Sequence, residues 1–183
     1  MKRIAMGLAA VLAMTCGAWA GVKDDSFKDA NGARVLQESI EVDAPPVDVW
    51  AAFTTDKGFM KWAAPWAHIV PGNGGTIEFA FAPNGKAGDP ANVRHRILVW
   101  LPAKILIFQN EYLPPGPGPF DAGAFGAVRT ILTFDPTGRG TTDVTQTVVG
   151  FGEGDKFDRL YAHLHDGNAE YLTMLARNFG GKR

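Results

Sequence analysis

The sequence predicts an α+β protein: a curved antiparallel sheet wrapped around a long C-terminal helix, with two short helices after the first strand. Three observations carry this. Between residues 68 and 151, apolar side chains recur with period two in segments separated by short turn-forming links. Residues 153–179 return to helical spacing, with Phe157, Leu160, Leu164, Tyr171, Leu172, Leu175 and Phe179 on one stripe. The stretch "VWAAFTTDKGFMKWAAPW" (residues 49–66) places three tryptophans and two phenylalanines in a helix, turn and second short helix.

The chain opens with "MKRIAMGLAAVLAMTCGAWA": Lys2 and Arg3, an apolar run, then small residues. That is the pattern of a secretory signal peptide cleaved after Ala20, so residues 1–20 are assigned to a leader and the mature protein to the periplasm or exterior. The apolar run is shorter than the roughly 20 residues of a spanning helix, which leaves no integral membrane segment after cleavage. A lipoprotein acylated at Cys16 is the alternative. Cleavage leaves 163 residues without cysteine, and 16 basic residues against 19 acidic ones give a net charge of -3. A chain of this size forms one domain held by its core, without disulfides. Its charge disfavours nucleic acid or an anionic membrane as partner.

Residues 21–33 are polar and rich in turn formers and read as an N-terminal tether, ordered only near Phe27. The domain then spans residues 34–180. "RVLQESIEVDAPP" alternates as a half-buried strand stopped by two prolines. Pro46 suits a first helical turn, and Val49, Trp50 and Phe53 follow at helical spacing. A second helix is expected over residues 56–62. Six strands follow, among them "TIEFAFA", "VRHRILVWL", "KILIFQNEY", "AVRTILTFD" and "TTDVTQTVVGF". Links as short as "PA" cannot make crossovers, so the strands form an antiparallel meander. The loop "LPPGPGPFDAGAFG" interrupts it before the last two strands. A strongly curved sheet around a long helix is not filled by small side chains and leaves a cavity between the two.

Several chemistries are excluded. His163 and His165, two apart on a helix, point about 200° apart and cannot share an ion. Neither "GNGG" nor "GEGDK" has the spacing of a phosphate loop. The mature chain has only Ser26 and Ser39, neither in an elbow motif, and no cysteine, so covalent catalysis through serine or cysteine is not expected. No cofactor and no metal are expected.

Four segments carry a resemblance: "VWAAFTTDKGFMKWAAP", "GGTIEF", "PAKILIFQNEY" and "GRGTTDVTQTVVGFGEGDKFDRLYAHLHDGNAEYLTML". The chain resembles the SRPBCC or START-like superfamily, with its helix-grip fold. It is most similar to the branch of activator-of-heat-shock-ATPase homologue-like proteins, which overlaps polyketide cyclase/dehydrase-like proteins. Two features depart from that pattern: Asn168 stands where many relatives have tryptophan in the closing helix, and the loop over residues 113–126 is long. The resemblance implies a binding module for a small apolar or amphipathic molecule. It leaves two alternatives: a cyclase or dehydratase on the same scaffold, and a protein-interaction module like the chaperone activators.

The candidate ligand-binding residues are Trp62, Trp66, His95, Glu111, Arg129 and Tyr161; no catalytic residue is assigned. His95 shares a strand face with Val93, Ile97 and Val99 and is expected inward, whereas Arg94, Arg96, Leu98 and Trp100 share the other face. Either face of "KILIFQNEY" could line the cavity. Convergence of His95, Glu111 and Arg129 would polarise a carbonyl and move a proton. Without it, His95 bonds a neighbouring strand and Glu111 and Arg129 form a rim ion pair. Trp62 and Trp66 flank the turn at the expected mouth; if they guard it, Trp62→Ala weakens binding more than folding.

Overall fold

The computed structural model describes residues 21–114 and 121–180. The expected signal peptide and its Cys16 alternative fall outside the described residues, as does the middle of the proline-rich loop. The elements are β1 (Lys23–Asp24), β2 (Phe27–Lys28), β3 (Arg34–Val42), α1 (Pro46–Thr54), α2 (Asp56–Phe59), β4 (Trp66–Val70), β5 (Thr76–Ala80), β6 (Val93–Leu101), β7 (Ile105–Tyr112), α3 (Ala122–Ala127), β8 (Arg129–Pro136), β9 (Thr142–Val149) and α4 (Asp155–Gly180). The sheet runs β1-β3-β9-β8-β7-β6-β5-β4, with every pairing antiparallel and β2 also on β3. Six strands follow the short helices, and α4 lies against the sheet.

Local chemistry explains the helices. Pro46 stands in the first turn of α1, where its missing N–H is no loss, with Asp48 beside the positive end. Val49, Trp50 and Phe53 face the core. Thr55 caps α2, its hydroxyl accepting from the Gly58 N–H at 3.0 Å. Helical geometry stops at Phe59, short of Trp62, and i→i−3 and i→i−4 bonds carry the chain on to Ala63. In α4 the stripe buries Leu160, Asn168, Leu172, Leu175 and Ala176.

Two local readings change. The tether is laid along β3, pairing Lys23 with Ser39 and Phe27 with Val35. Polar segments can add to a sheet edge through backbone bonds alone, a gain composition does not register. The loop also contains α3, whose first turn Asp121 caps by accepting from the Ala124 N–H at 2.8 Å. Alanines and glycines without periodicity concealed it.

The core falls into two clusters. The larger joins α1 and α2 to the sheet and to Leu172, Leu175 and Ala176; the smaller holds Leu36, Ala124, Val128, Val148, Phe151 and Leu160. Trp50 meets Trp100 and Phe134 edge-on, at 5.0 and 5.4 Å between centroids. Trp100 reaches the core because the β6–β7 register shifts between Ile97 and Val99. That bulge reverses the alternation, so Val99 is exposed and Trp100 turns inward, against the expectation of strict period two.

Between the clusters the inward row of each central strand is broken once by a polar residue. Glu38 lies between Leu36 and Ile40 on β3, Gln146 between Val144 and Val148 on β9, and Thr130 on β8 between Leu132 and Val128, which just precedes the strand. Asn110 continues the row of Leu106 and Phe108 on β7, and His95 separates Val93 from Ile97 on β6. On α4, Asn168 occupies the matching gap between Leu160 and Leu172.

Candidate functional site

A cavity of about 270 Å³ lies between the sheet and α4. Phe53, Phe59 and Trp62 come from the short helices and the turn after them, Ile77 and Phe79 from β5, and Phe108 and Leu132 from β7 and β8. Phe125 of α3 and Leu164, Gly167, Asn168, Tyr171 and Leu172 of α4 close it. His95, Asn110, Thr130 and Gln146 bring four members of the polar band into the wall. Phe81 and His163, both exposed, mark its solvent side.

Hydrogen bonds to backbone carbonyls hold several of the wall's side chains in place. The Trp62 indole N–H donates to the Ala52 carbonyl at 3.0 Å, and the Tyr171 hydroxyl to the Ala63 carbonyl at 3.4 Å. Asn110 Nδ2 donates to the Phe125 carbonyl at 3.0 Å, and Gln109 Nε2 to that of Gly126 at 2.7 Å, tying α3 to β7. Two side-chain nitrogens in the wall are buried without a hydrogen-bond partner: Nδ1 of His95 and Nδ2 of Asn168. A buried polar atom left unpaired costs about 1–3 kcal/mol, so these two are poised to gain from a guest.

His95 is stacked on Phe108, with centroids 4.9 Å apart, and Phe79 leans on it at 5.4 Å. Burial pushes its imidazole down from 6.5 to about 4, opposed by the backbone of Arg94, and the ring is neutral at physiological pH. Beside the wall, on the neighbouring strand, Glu38 stands in register with Gln146 and is only 1% exposed, with Oε2 unpaired. Burial raises its carboxyl from 4.5 to about 7, against the lowering influence of His165.

The other sequence candidates are dispersed. Glu111 faces solvent and pairs with Arg96 rather than Arg129. Arg129 is exposed because the inward residue of its strand is the next one, Thr130. Tyr161 packs on Phe151 at 5.0 Å beneath the Arg34 guanidinium, in the smaller cluster. Trp66 is half-buried against Gly85, where a Cβ would fall 2.6 Å from the indole, so a larger residue there would have to displace the ring. Trp62 is in the wall but 8% exposed, a core ring rather than a gatepost. Thus His95 and Trp62 line the cavity, and Trp66, Glu111, Arg129 and Tyr161 do not. Asn168 and Asn110, which line the cavity, were not among the candidates read from the sequence. Each was signalled by a polar residue on an otherwise apolar row.

A second groove, about 440 Å³, runs between residues 28–34 and the start of α4. Its Arg34 is already committed to Asp158 at 2.8 Å and to the Gly152 carbonyl. Among the described residues no group of histidines, cysteines and carboxylates could hold a metal, and no helix is long and apolar enough to cross a membrane.

A curved antiparallel sheet gripping one long helix over a cavity open to solvent at one side defines a helix-grip protein of the SRPBCC superfamily. Within it, the chain belongs to the polyketide cyclase / dehydrase and lipid transport family, whose profile matches residues 33–163. Similar solved structures include the Aha1 dimer from Colwellia psychrerythraea, at 21% identity over 79% of this chain and 95% of that one, with TM-score 0.58. CalU16 from Micromonospora echinospora is 16% identical over 88% of each chain, with TM-score 0.60. Ms6760 from Mycobacterium smegmatis is 14% identical over 88% of this chain and 99% of that one, with TM-score 0.62. At these identities the likeness is one of fold. No curated protein matches.

Proposed function

We propose that this protein is an exported binding module that encloses a small apolar or amphipathic molecule between its sheet and α4. The observation that supports it is the cavity itself, walled by aromatic and aliphatic side chains and interrupted by a few neutral polar atoms. Its volume, about 270 Å³, falls just under the roughly 300–1,000 Å³ of ordinary ligand pockets, which suits a guest of one or two rings or a short chain. Enzymatic cyclisation or dehydration is the weaker reading, because the carboxylate and arginine it would draw on, Glu111 and Arg129, lie outside the wall. A protein-interaction role finds less support than an enclosed pocket does. Export follows from the leader pattern of residues 1–20.

Native mass spectrometry of the protein purified from its own cell envelope, with gentle extraction, tests both parts. The expected result is a chain whose mass begins at Gly21, carrying a co-purified small molecule. An uncleaved chain confined to the cytoplasm overturns export. An empty protein that also ignores a panel of apolar probes overturns binding.

A further inference from the structure

We propose that the cavity selects an uncharged guest bearing an acceptor oxygen, a ketone, ester or hydroxyl, seated on the Asn168 amide, and that it rejects the carboxylate form of a comparable molecule. The inference rests on the binding reading above and specifies the chemistry of the guest.

Asn168 is 9% exposed and lines the cavity, and its Nδ2 makes no hydrogen bond within the protein. Three other donors of the wall are engaged, Asn110 with Phe125, the Trp62 indole with Ala52 and the Tyr171 hydroxyl with Ala63, while the Thr130 hydroxyl and the Gln146 amide also line it. Among the donors left, Nδ2 of Asn168 is the amide nitrogen buried without any partner, joined by Nδ1 of His95, which as a neutral imidazole can donate or accept, so a guest oxygen relieves it most. A purely apolar guest leaves the amide unpaired at its desolvation cost, whereas a carbonyl or hydroxyl oxygen relieves it.

Charge decides the second half. No aspartate, glutamate, lysine or arginine lines the cavity among the described residues. Of the two histidines, His95 is buried and uncharged at neutral pH, and His163 sits on the solvent side. The carboxyl beside Gln146, that of Glu38 on the neighbouring strand, has the same sign as an anionic guest and repels it whenever ionised. An ion placed here loses its hydration and gains no counter-charge.

Three matched probes, naphthalene, 2-acetylnaphthalene and 2-naphthoate, titrated calorimetrically into the purified protein at pH 7.5 test this. The ketone should bind roughly tenfold more tightly than naphthalene, as one relieved donor implies, and at least tenfold more tightly than the carboxylate. Asn168→Leu should abolish the preference for the ketone while keeping naphthalene binding. If that variant fails to unfold cooperatively, Asn168→Asp, the same shape without the amide donor, should likewise lose the preference. Equal affinities for naphthalene and ketone, tightest binding by naphthoate, or a preference that survives the substitution overturns the selectivity but leaves the binding reading standing. Failure of all three probes to bind overturns both.

Discussion

Glu38 and His95 carry opposite pH dependences into the same range. Glu38 is raised in the folded protein to about 7 from 4.5, so its contribution favours folding at low pH and is lost as pH rises through about 7. His95 is lowered to about 4 from 6.5, so its contribution is full above 6.5 and is lost as pH falls through about 4. Between pH 4.5 and 6.5 the two slopes cancel, and thermal stability should be nearly flat there apart from other groups. Removing either unmasks the other. Glu38→Gln should give an unfolding free energy that climbs from pH 4 to 6.5, and His95→Gln one that declines from pH 4.5 to 7, each by up to about 3 kcal/mol; calorimetry across that range checks it, and parallel profiles for both variants would refute it. Trp62 makes a different residue-scale prediction. Its ring contacts Phe53, Phe59 and Tyr171 at 5.0, 5.8 and 5.9 Å. Trp62→Ala should therefore cost about 3–5 kcal/mol in urea unfolding, a structural loss instead of the selective loss of binding expected from a gate.

The long helix α4 is where fold and function meet most directly. Gly167 interrupts it, and a Cβ built there meets nothing within 4 Å, so the glycine is not required by packing. Gly167→Ala should stabilise the protein by about 1 kcal/mol through helix propensity, while the added methyl takes space from the cavity that Gly167 lines. A rise in melting temperature of roughly 2–4 °C together with weaker binding of the larger probes is the expected pair of results. In β6 the bulge matters for a related reason. By turning Trp100 inward it gives Trp50 an edge-on partner, and the strand can present His95 near one end and Trp100 near the other to the same interior. Alternation alone puts these two residues on opposite faces. Helix α3, pinned by Asn110 and Gln109, brings Phe125 over the cavity and turns what reads as a plain loop into part of its wall.

At the scale of the whole molecule, a bound guest links directly to stability. A ligand at about one hundred times its Kd adds about 2.7 kcal/mol, or roughly 5–11 °C for a domain of this size. Delipidated and native preparations of the protein should differ in melting temperature by that order if the cavity is occupied in the cell, and equal values would count against an occupied state. The architecture was legible in the sequence because it rests on local signals. Period two in the strands, a 3.6-residue stripe in α4, prolines after β3 and the short "PA" link each constrain a neighbourhood, and together they admit one meander around one helix. The direction of His95 was legible for the same reason, since Val93 and Ile97 flank it on one row. Convergence was not. Whether Glu111 meets Arg129 or Arg96 depends on strand register, and Arg96 lies beside Gln109 on the neighbouring strand while Arg129 lies beside the same residue from the other side. The polar band was present residue by residue, but its members come from five strands and a helix far apart in the chain, and only their tertiary alignment makes them one surface. Periodicity by itself determined which elements form and how they follow one another; the closing of sheet on helix decided which polar atoms are left buried, unpaired and facing the same enclosed space.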